Sequence, residues 1–133
     1  MAILIDSSVA IAAERERGKT LSIREEFGNQ AVAMSALSVS ELLHGVHRAD
    51  TATRRERRLR SIEGLLGFVS VLAFDLETAR IHSRIWADLA ARGQRIGAHD
   101  LIIAATALAH DLPIATRNPD HFDSVEGLQV RSL

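Results

Sequence analysis

The chain has 133 residues, 47% of them hydrophobic, and a formal net charge of −1, which is the size and apolar content of one domain with a single core. It contains no cysteine, which excludes disulfide bonds and thiolate metal sites and fits a reducing cytoplasm. The longest mostly apolar stretch, Leu101 to Ala109, falls short of the roughly 20 residues that span a bilayer. We also expect no signal peptide, because the N-terminus lacks a basic segment. A single cytoplasmic domain over residues 1–133, without membrane contact, is therefore predicted.

Apolar segments alternate with helical segments along the chain. Five apolar segments are predicted to be strands, the second and the fifth being the weakest: Ala2–Ile5, Ala31–Met34, Phe68–Phe74, Pro113–Thr116 and Leu128–Arg131. Strands that alternate with helices are typical of a parallel sheet with helices on both faces. The predicted fold class is therefore α/β, with a mainly parallel sheet of four to five strands.

Capping residues predict where the first helices begin and end. Ser7 is expected to be the N-cap of the first helix, and Gly18 to break a charged stretch before a second helix that ends near Phe27. Ser38 and Glu41 have the spacing of a capping box, in which an N-cap hydroxyl and a glutamate three residues later each bond to the other's backbone. The third helix is therefore expected to begin at Ser38.

The later helices have equally clear signals. An arginine-rich helix is expected to end at Gly67, and Asp75 is expected to cap a long helix that Gly93 closes as a C′ residue. The inner face of this long helix is predicted to carry four residues: Ile81, Ile85, Trp86 and Leu89. Gly97 is expected to open the last helix, with Asp100 in its first turn and a body that is apolar on nearly all sides and hence buried.

Four acidic residues lie where an apolar strand ends or a helix begins: Asp6, Glu41, Asp100 and Asp120. Each has a local explanation, as a helix cap, a capping box, a helix-dipole contact or a turn residue. The carboxyl ends of parallel strands share one edge of the sheet, however, so these side chains are expected to converge there. Carboxylates that converge repel one another unless a cation holds them. Carboxylate ligands select Mg²⁺ or Mn²⁺, so the pattern predicts a divalent metal site suited to phosphate chemistry.

Arginines are concentrated between the second and third predicted strands. From His44 to Arg60 the chain carries six arginines against Asp50 and Glu56, a local balance of +4. Four of them are predicted to contact an RNA backbone: Arg54, Arg55, Arg57 and Arg58. A contact with a protein partner or a second copy is the alternative, and a solvated helix face with ion pairs is a third explanation.

Four segments resemble the motifs of PIN-domain proteins. Ile3–Val9 is similar to their opening strand and acid, and Ser38–Leu42 to their second acidic motif. Arg95–Ala107 resembles the third and most specific motif, and Thr116–Phe122 the last. The match covers nearly the whole chain in order, and its closest likeness is to VapC-type toxins of bacterial toxin–antitoxin pairs. The resemblance implies a three-layer α/β/α PIN-like fold and a metal-dependent endoribonuclease that a small VapB-like antitoxin inhibits.

The resemblance also implies a set of site residues. The catalytic, metal-binding acids would be Asp6, Glu41 and Asp100, with Asp120 as a further metal ligand and three pocket-lining residues: Ser8, Thr116 and Asn118. The implied cofactor is Mg²⁺, with Mn²⁺ plausible, and the implied assembly is a homodimer. Many relatives place an acid directly before the phenylalanine of the last motif, where this chain has His121. That departure leaves open whether one or two metals bind.

Two classes of function remain open from the sequence. The first is hydrolysis of an RNA phosphodiester by a metal-activated water, which would leave a 5′-phosphate and a 3′-hydroxyl. The second is a non-catalytic RNA-binding or structural protein of the same fold, which the histidine at position 121 favours. The sequence does not indicate which RNA would be cut.

Overall fold

The computed structural model describes residues 2–16 and 20–133. The predicted break at Gly18 lies outside the described residues. Five strands and six helices are found in these ranges, with one short 3₁₀ helix. In chain order they are β1 Ile3–Ile5, α1 Ser7–Arg15, α2 Thr20–Phe27, β2 Val32–Ser35, α3 Ala36–His47, α4 Ala52–Leu66, β3 Val69–Leu72, α5 Leu76–Ala91, α6 Ala98–Ala109, β4 Ile114–Thr116, the 3₁₀ helix Pro119–Phe122 and β5 Val130–Ser132.

The five strands form one parallel sheet in the order β3-β2-β1-β4-β5. β1 lies at the centre, where Ile3 pairs with Val32 and Ile5 with Ala115. The α/β class and the five-stranded sheet predicted from the sequence are thus confirmed. Because the strands are parallel, the ends of β1, β2 and β4 lie along one edge, and the residues that follow them are brought together there.

The apolar residues of β1 alternate between two cores, as the pleat of a strand requires. Ile3 and Ile5 pack with α1 to α4 on one face, whereas Leu4 packs with α5 and α6 on the other. All three are at most 2% exposed. This double burial explains why the strand is a continuous apolar run, and it leaves Asp6 as the first charged group beyond the core.

Two predicted helix starts are wrong. α1 is capped by Asp6, whose side chain accepts a hydrogen bond from the Ser8 amide, and not by Ser7. α3 follows β2 without a loop and is capped by Ser35, whose Oγ accepts from the Ser38 amide at 3.0 Å. In both cases the N-cap is the residue with a side-chain oxygen at the strand's end (Ser35) or directly after it (Asp6), since the chain turns into the helix at once. Glu41 therefore lies in the second turn of α3 and belongs to no capping box.

The long helix α5 begins and ends as predicted. Asp75 accepts from the Thr78 amide at 2.9 Å, and Gly93 has a positive φ of 65°. The predicted inner face is correct for Ile85 and Leu89 but wrong for Trp86, which is 62% exposed. Adjacent helical residues point about 100° apart, so Trp86 cannot share the buried face of Ile85.

The last helix, α6, is buried on most sides, as predicted, with six of its twelve residues in the core. It precedes β4 and crosses back over the sheet, so its N-terminus lies at the carboxyl edge of the strands. Within the described ranges, no helix combines the length and apolarity needed to cross a membrane.

Candidate active site at the carboxyl edge of the sheet

Asp6 is the buried acid of this edge, with 4% exposure. One carboxylate oxygen, Oδ1, accepts hydrogen bonds from the Ser8 amide at 3.1 Å and from the Ser8 hydroxyl. The other, Oδ2, accepts from the Thr116 hydroxyl at 2.7 Å. A carboxylate offers about four acceptor positions, so Asp6 keeps one position on Oδ2 that none of these bonds uses. Ser8 and Thr116 thus hold Asp6 in place, and their role as pocket-supporting residues stays a prediction.

The loop after β4 closes this network. Thr116 is fully buried, and its Oγ1 accepts a hydrogen bond from the Asn118 amide at 3.0 Å. The Arg117 amide donates to Ser8 Oγ at 3.1 Å. Asn118 therefore contributes its backbone to the pocket, whereas its side chain is exposed. Ser8 of α1 and Thr116 of β4 both donate their hydroxyls to the Asp6 carboxylate, which therefore links two chain segments more than 100 positions apart.

Asp100 lies in the first turn of α6, whose N-cap Gly97 supplies no side-chain hydrogen bond. Burial raises the pKa of Asp100 above its ordinary value; nearby His121 opposes this, and the charge of Asp6 adds to it. The coupling to Asp6 means that the two carboxylates are close enough to repel one another. Their convergence on one metal ion stays a prediction.

Glu41 reaches the same edge from α3. Its Oε1 accepts a hydrogen bond from Ser7 Oγ at 3.4 Å, and its Oε2 lies 3.4 Å from His99 Nδ1. Ser7 is the neighbour of Asp6 in sequence, and His99 the neighbour of Asp100. Glu41 therefore contacts the side chains of the residues next in sequence to the other two acids.

Two histidines and a serine at this edge were not predicted. His121 Nδ1 lies 3.0 Å from Asp100 Oδ2, and His99 and Ser7 flank Glu41 as described. His99 was recognisable as the residue next to Asp100. The approach of His121 could not be read from the sequence, because it depends on how the 3₁₀ helix turns after Asn118.

Asp120 is placed differently from the other acids. It is exposed in the 3₁₀ helix, and with the described residues it makes no hydrogen bond or ion pair. The residue of this segment that contacts Asp100 is His121. Asp120 as a metal ligand remains a prediction that no contact supports.

The chemistry of these groups fits a divalent cation. Oxygen ligands of this kind are preferred by hard cations, and a cation would offset the burial and, to a lesser extent, the Asp6 charge that raise the pKa of Asp100. Among residues 2–16 and 20–133, no three His, Asp or Glu side chains lie together so that they could hold a metal ion in the described conformation. Asp100 and Glu41 are 24% and 30% exposed, respectively, so their side chains have room to rotate toward a cation. Asp6, held by three hydrogen bonds, is the fixed member of the set.

The arginine-rich helix α4 borders a groove of ≈ 370 Å³ that opens beside Glu41. Arg58 donates to the Gly45 carbonyl at 2.7 Å, Arg55 donates to the Ala49 carbonyl at 3.3 Å, and Arg54 pairs with Asp50 at 2.8 Å. These three guanidinium groups therefore connect α4 to α3 or to the turn between them. Arg57 is exposed, and with the described residues it forms no hydrogen bond or ion pair.

Comparison with known proteins places this fold and acidic edge in a family. The PIN-domain family model matches residues 3–128. Ribonuclease VapC1 of Rickettsia felis is 35% identical over 133 residues, covering 100% of this chain and 97% of the relative. The tRNA(fMet)-specific endonuclease VapC of Shigella flexneri is 33% identical, with 96% and 94% covered. The structure of DNA-bound VapBC from Salmonella typhimurium has a TM-score of 0.86 at 25% identity, covering 99% of this chain and 98% of that one.

The fold and site together define an α/β nuclease domain with a carboxylate cluster at its sheet edge. The chain belongs to the PIN-domain family, and its full-length relatives are VapC ribonucleases. The resemblance seen in the sequence motifs is thus confirmed. PIN-domain nucleases of the VapC type generally depend on a divalent metal, and the carboxylates described above are the groups that would hold it.

Proposed function

We propose that this protein is the endoribonuclease of a toxin–antitoxin pair and cleaves RNA at the edge formed by Asp6, Glu41 and Asp100. The observation that carries the proposal is the coupling of Asp6 to Asp100: a buried carboxylate is held by three hydrogen bonds next to a second one that repels it. A structural domain gains nothing from a buried carboxylate placed where it repels a second, partly buried one. A nuclease gains a metal site from this arrangement, because a cation can bind between the two carboxylates.

The residues of the edge have separate tasks in this proposal. Asp6 and Asp100 would hold a Mg²⁺ or Mn²⁺ ion, which when bound supplies charge to a scissile phosphate and acidifies a water. Glu41, which is partly exposed and able to rotate, would orient or accept a proton from the attacking water. Ser8 and Thr116 would keep the Asp6 carboxylate from turning away when a substrate phosphate approaches. The N-termini of α1 and α6 point at the same edge and favour bound anions.

Cleavage by the purified protein tests this assignment. We expect RNA to be cut in the presence of Mg²⁺ or Mn²⁺, not with EDTA, and to carry 5′-phosphate and 3′-hydroxyl ends. Asp100→Asn and Asp6→Asn should each lower the rate at least 100-fold while leaving the circular dichroism spectrum unchanged. A 2′,3′-cyclic phosphate product, or equal rates with EDTA, would contradict the mechanism.

The RNA substrate can be approached through the relatives. VapC proteins of Shigella flexneri and Salmonella typhimurium are named as specific for tRNA(fMet), so initiator tRNA is the first candidate. Sequencing of RNA ends after brief expression of the wild type and of Asp6→Asn identifies the substrate without assuming it. The exposed Arg57 and its neighbours on α4 are proposed to contact the RNA backbone.

The groove beside Glu41 is the proposed site of a VapB-like antitoxin. Its apolar lining comes from α1 to α4, with arginines at the rim: Ile11, Ile23, Leu42, Ile62, Arg15 and Arg48. This composition suits a helix with one apolar face and acidic flanks. Structures of VapBC complexes from Haemophilus influenzae and Mycobacterium tuberculosis share the fold at 26% and 29% identity. An occupant here would lie against Glu41 and block the acidic edge.

Coexpression with the small protein encoded beside this one tests the groove. Ile11, which lines it and is 39% exposed, is replaced by aspartate, and we expect co-purification to be lost. Leu76→Asp is the matched control, because Leu76 is 69% exposed at the start of α5, outside the groove. Equal retention of the partner by both variants would place its binding site elsewhere.

A non-catalytic RNA-binding protein of the same fold is the second candidate, and His121 beside Asp100 is the observation that favours it. An imidazole in contact with one acid of the cluster could replace the cation as a counter-charge. RNA binding that is independent of divalent metal, without cleavage under any metal, would support this alternative. The homodimer and the cytoplasmic location expected from the sequence remain predictions.

A further inference from the structure

A second cleft, of ≈ 210 Å³, opens between α1 and α2 beside the end of β4. Its floor is apolar and includes four side chains that are each at most 8% exposed: Val9, Ala13, Ile23 and Phe27. An uncharged ring can cover such a floor, whereas a phosphate group would lose its hydration there. The cleft therefore suits a neutral group with an apolar face.

The second cleft begins next to the acidic edge. Val9 and Arg117, which both line it, follow directly after Ser8 and Thr116 in the chain. The hydroxyls of Ser8 and Thr116 both donate to the Asp6 carboxylate. A single-stranded RNA can turn its bases away from its backbone. With a phosphate at Asp6, the base of an adjoining nucleotide can therefore enter the cleft.

The charges around the cleft balance one another. Glu16 and Glu26 line it, and each faces an arginine: Glu16 lies 3.8 Å from Arg117, and Glu26 pairs with Arg131 at 2.9 Å. Two carboxylates and two guanidinium groups give a local charge of zero. This balance favours a neutral ligand over a phosphate, in agreement with the apolar floor.

Glu16 and Arg117 retain hydrogen-bonding capacity for a ligand. Glu16 Oε1 and Arg117 Nη1 are 3.8 Å apart, beyond hydrogen-bonding distance, and the two side chains are 66% and 49% exposed, respectively. A carboxylate can accept from two donors at once, and a guanidinium can donate to two acceptors. Guanine alone among the four RNA bases has two neighbouring donors, N1–H and N2–H₂, next to two neighbouring acceptors, O6 and N7.

We propose that the second cleft binds a guanine base of the RNA substrate beside the scissile phosphate. Glu16 accepts from N1–H and N2–H₂ of this base, and Arg117 donates to its O6 and N7. This assignment rests on the proposed ribonuclease function and adds to it a base that the protein recognises. It also gives two exposed charges next to the acidic edge a role in the choice of RNA.

NMR titration of the ¹⁵N-labelled full-length protein with guanosine 5′-monophosphate tests the cleft without any cleavage, at the amides of Val9 and Ala13. Inosine 5′-monophosphate lacks only the N2 amino group. We expect the wild type to bind guanosine monophosphate at least about 5-fold more tightly than inosine monophosphate, the lower limit for a bidentate contact to a base. Glu16→Gln should bring the two affinities to within about 2-fold. Arg117→Gln should weaken both nucleotides alike, because both carry O6 and N7.

Glu25→Gln is the matched control for the loss of a carboxylate. Glu25 is an exposed residue of α2 that does not line the cleft, so this variant should keep the ratio of affinities of the wild type. Equal affinities of the wild type for the two nucleotides would overturn the assignment. A preference for guanosine monophosphate that survives in Glu16→Gln would overturn it as well.

Cleavage of random-sequence RNA separates this assignment from the proposed function. Sequencing of the products should show guanine enriched at one position beside the cut, and less enriched with Glu16→Gln. Metal-dependent cleavage without a preference for guanine would overturn the guanine site and leave the proposed function standing. Failure to cleave either random-sequence RNA or total cellular RNA with any metal would remove the proposed function, and the substrate role of the cleft with it.

Discussion

Thr116 offers the most direct test of how the fold maintains a buried charge. Its hydroxyl donates to Asp6 Oδ2 at 2.7 Å, and both side chains are inaccessible, at 0% and 4% exposure. Thr116→Val keeps the shape but removes the donor, and it also removes the acceptor for the Asn118 amide. Loss of a hydrogen bond to a buried charged group costs about 1.5–3 kcal/mol. For a domain of this size each kcal/mol lowers the melting temperature by about 3–5 °C, so a decrease of about 5–15 °C is expected.

Thr106→Val is the matched control for this measurement. Thr106 is 1% exposed, and its hydroxyl donates at 2.8 Å to the Ile102 carbonyl within α6, a neutral partner. Its replacement should cost less than about 1 kcal/mol. Thermal denaturation of the metal-free protein by circular dichroism compares the two variants. Equal losses would refute the special role of the carboxylate.

A double-mutant cycle with Asp6→Asn separates the charge from the packing. Hydrogen bonds to a neutral amide are about half as strong as those to a carboxylate. Thr116→Val should therefore cost at least about 1 kcal/mol less in the Asp6→Asn background. An undiminished cost in that background would mean that the valine acts through packing alone.

The remaining predictions concern charge and shape around the site. Asp100→Asn should raise the melting temperature of the metal-free protein at neutral pH, because burial and Asp6 raise the pKa of Asp100. Because the pKa of Asp100 is raised on folding, the stability that this group contributes is present below its ordinary pKa of 3.8 and is lost as the pH rises. The stability gained by Asp100→Asn should therefore vanish in melts near pH 3.5, about 0.3 units below that pKa. A gain that does not depend on pH would contradict this reasoning. Gly97→Ala should weaken Mn²⁺ binding several-fold in calorimetry, because the added Cβ would lie 3.3 Å from Asp100 Oδ2; unchanged affinity would mean that the carboxylate moves aside freely. Arg57→Ala should reduce the slope of the logarithm of the RNA association constant against the logarithm of the salt concentration by about 0.7. Arg54→Ala should reduce this slope by less, since Arg54 is paired with Asp50. Equal slopes in the wild type and in Arg57→Ala would exclude a contact by Arg57. Trp86→Glu should lower the mass found by light scattering if the exposed Phe74 and Trp86, with the half-buried His82 between their rings, form the dimer contact; an unchanged dimer would place the contact elsewhere.

The sequence predicted the sheet well because its signals there are strong and local. Mainly apolar segments located all five strands to within one or two residues. Asp75 and Gly93 also marked the ends of α5 correctly, since a cap depends on the residues within one turn. What the sequence could not decide was which of several adjacent side-chain oxygens would be the N-cap. Ser35 precedes Ser38 by one turn, and only the absence of a loop after β2 selects it.

Exposure was harder to predict than secondary structure, as Trp86 illustrates. Hydrophobicity places a tryptophan in the core by default, but its angular position on α5 is set by Ile85 and Leu89, which are buried against α6. The rings of His82 and Trp86 instead meet edge to face outside the core, with their centroids 5.9 Å apart. The position of His121 was unpredictable for a similar reason, because it follows from the anchoring of Phe122 in a different layer of the molecule.

The N-cap of α3 is Ser35 and not the predicted Ser38, and this difference changes the interpretation of Glu41. A capping box would have given Glu41 a sufficient structural role at the first turn of α3, as predicted from its spacing to Ser38. With Ser35 as the N-cap, Glu41 lies in the second turn, where helix capping has no use for its carboxylate. Its contacts are with Ser7 and His99, the immediate neighbours of Asp6 and Asp100. A glutamate that helix capping does not use, 30% exposed and in contact with the sequence neighbours of two other acids, is better explained by what binds at this edge than by how α3 folds.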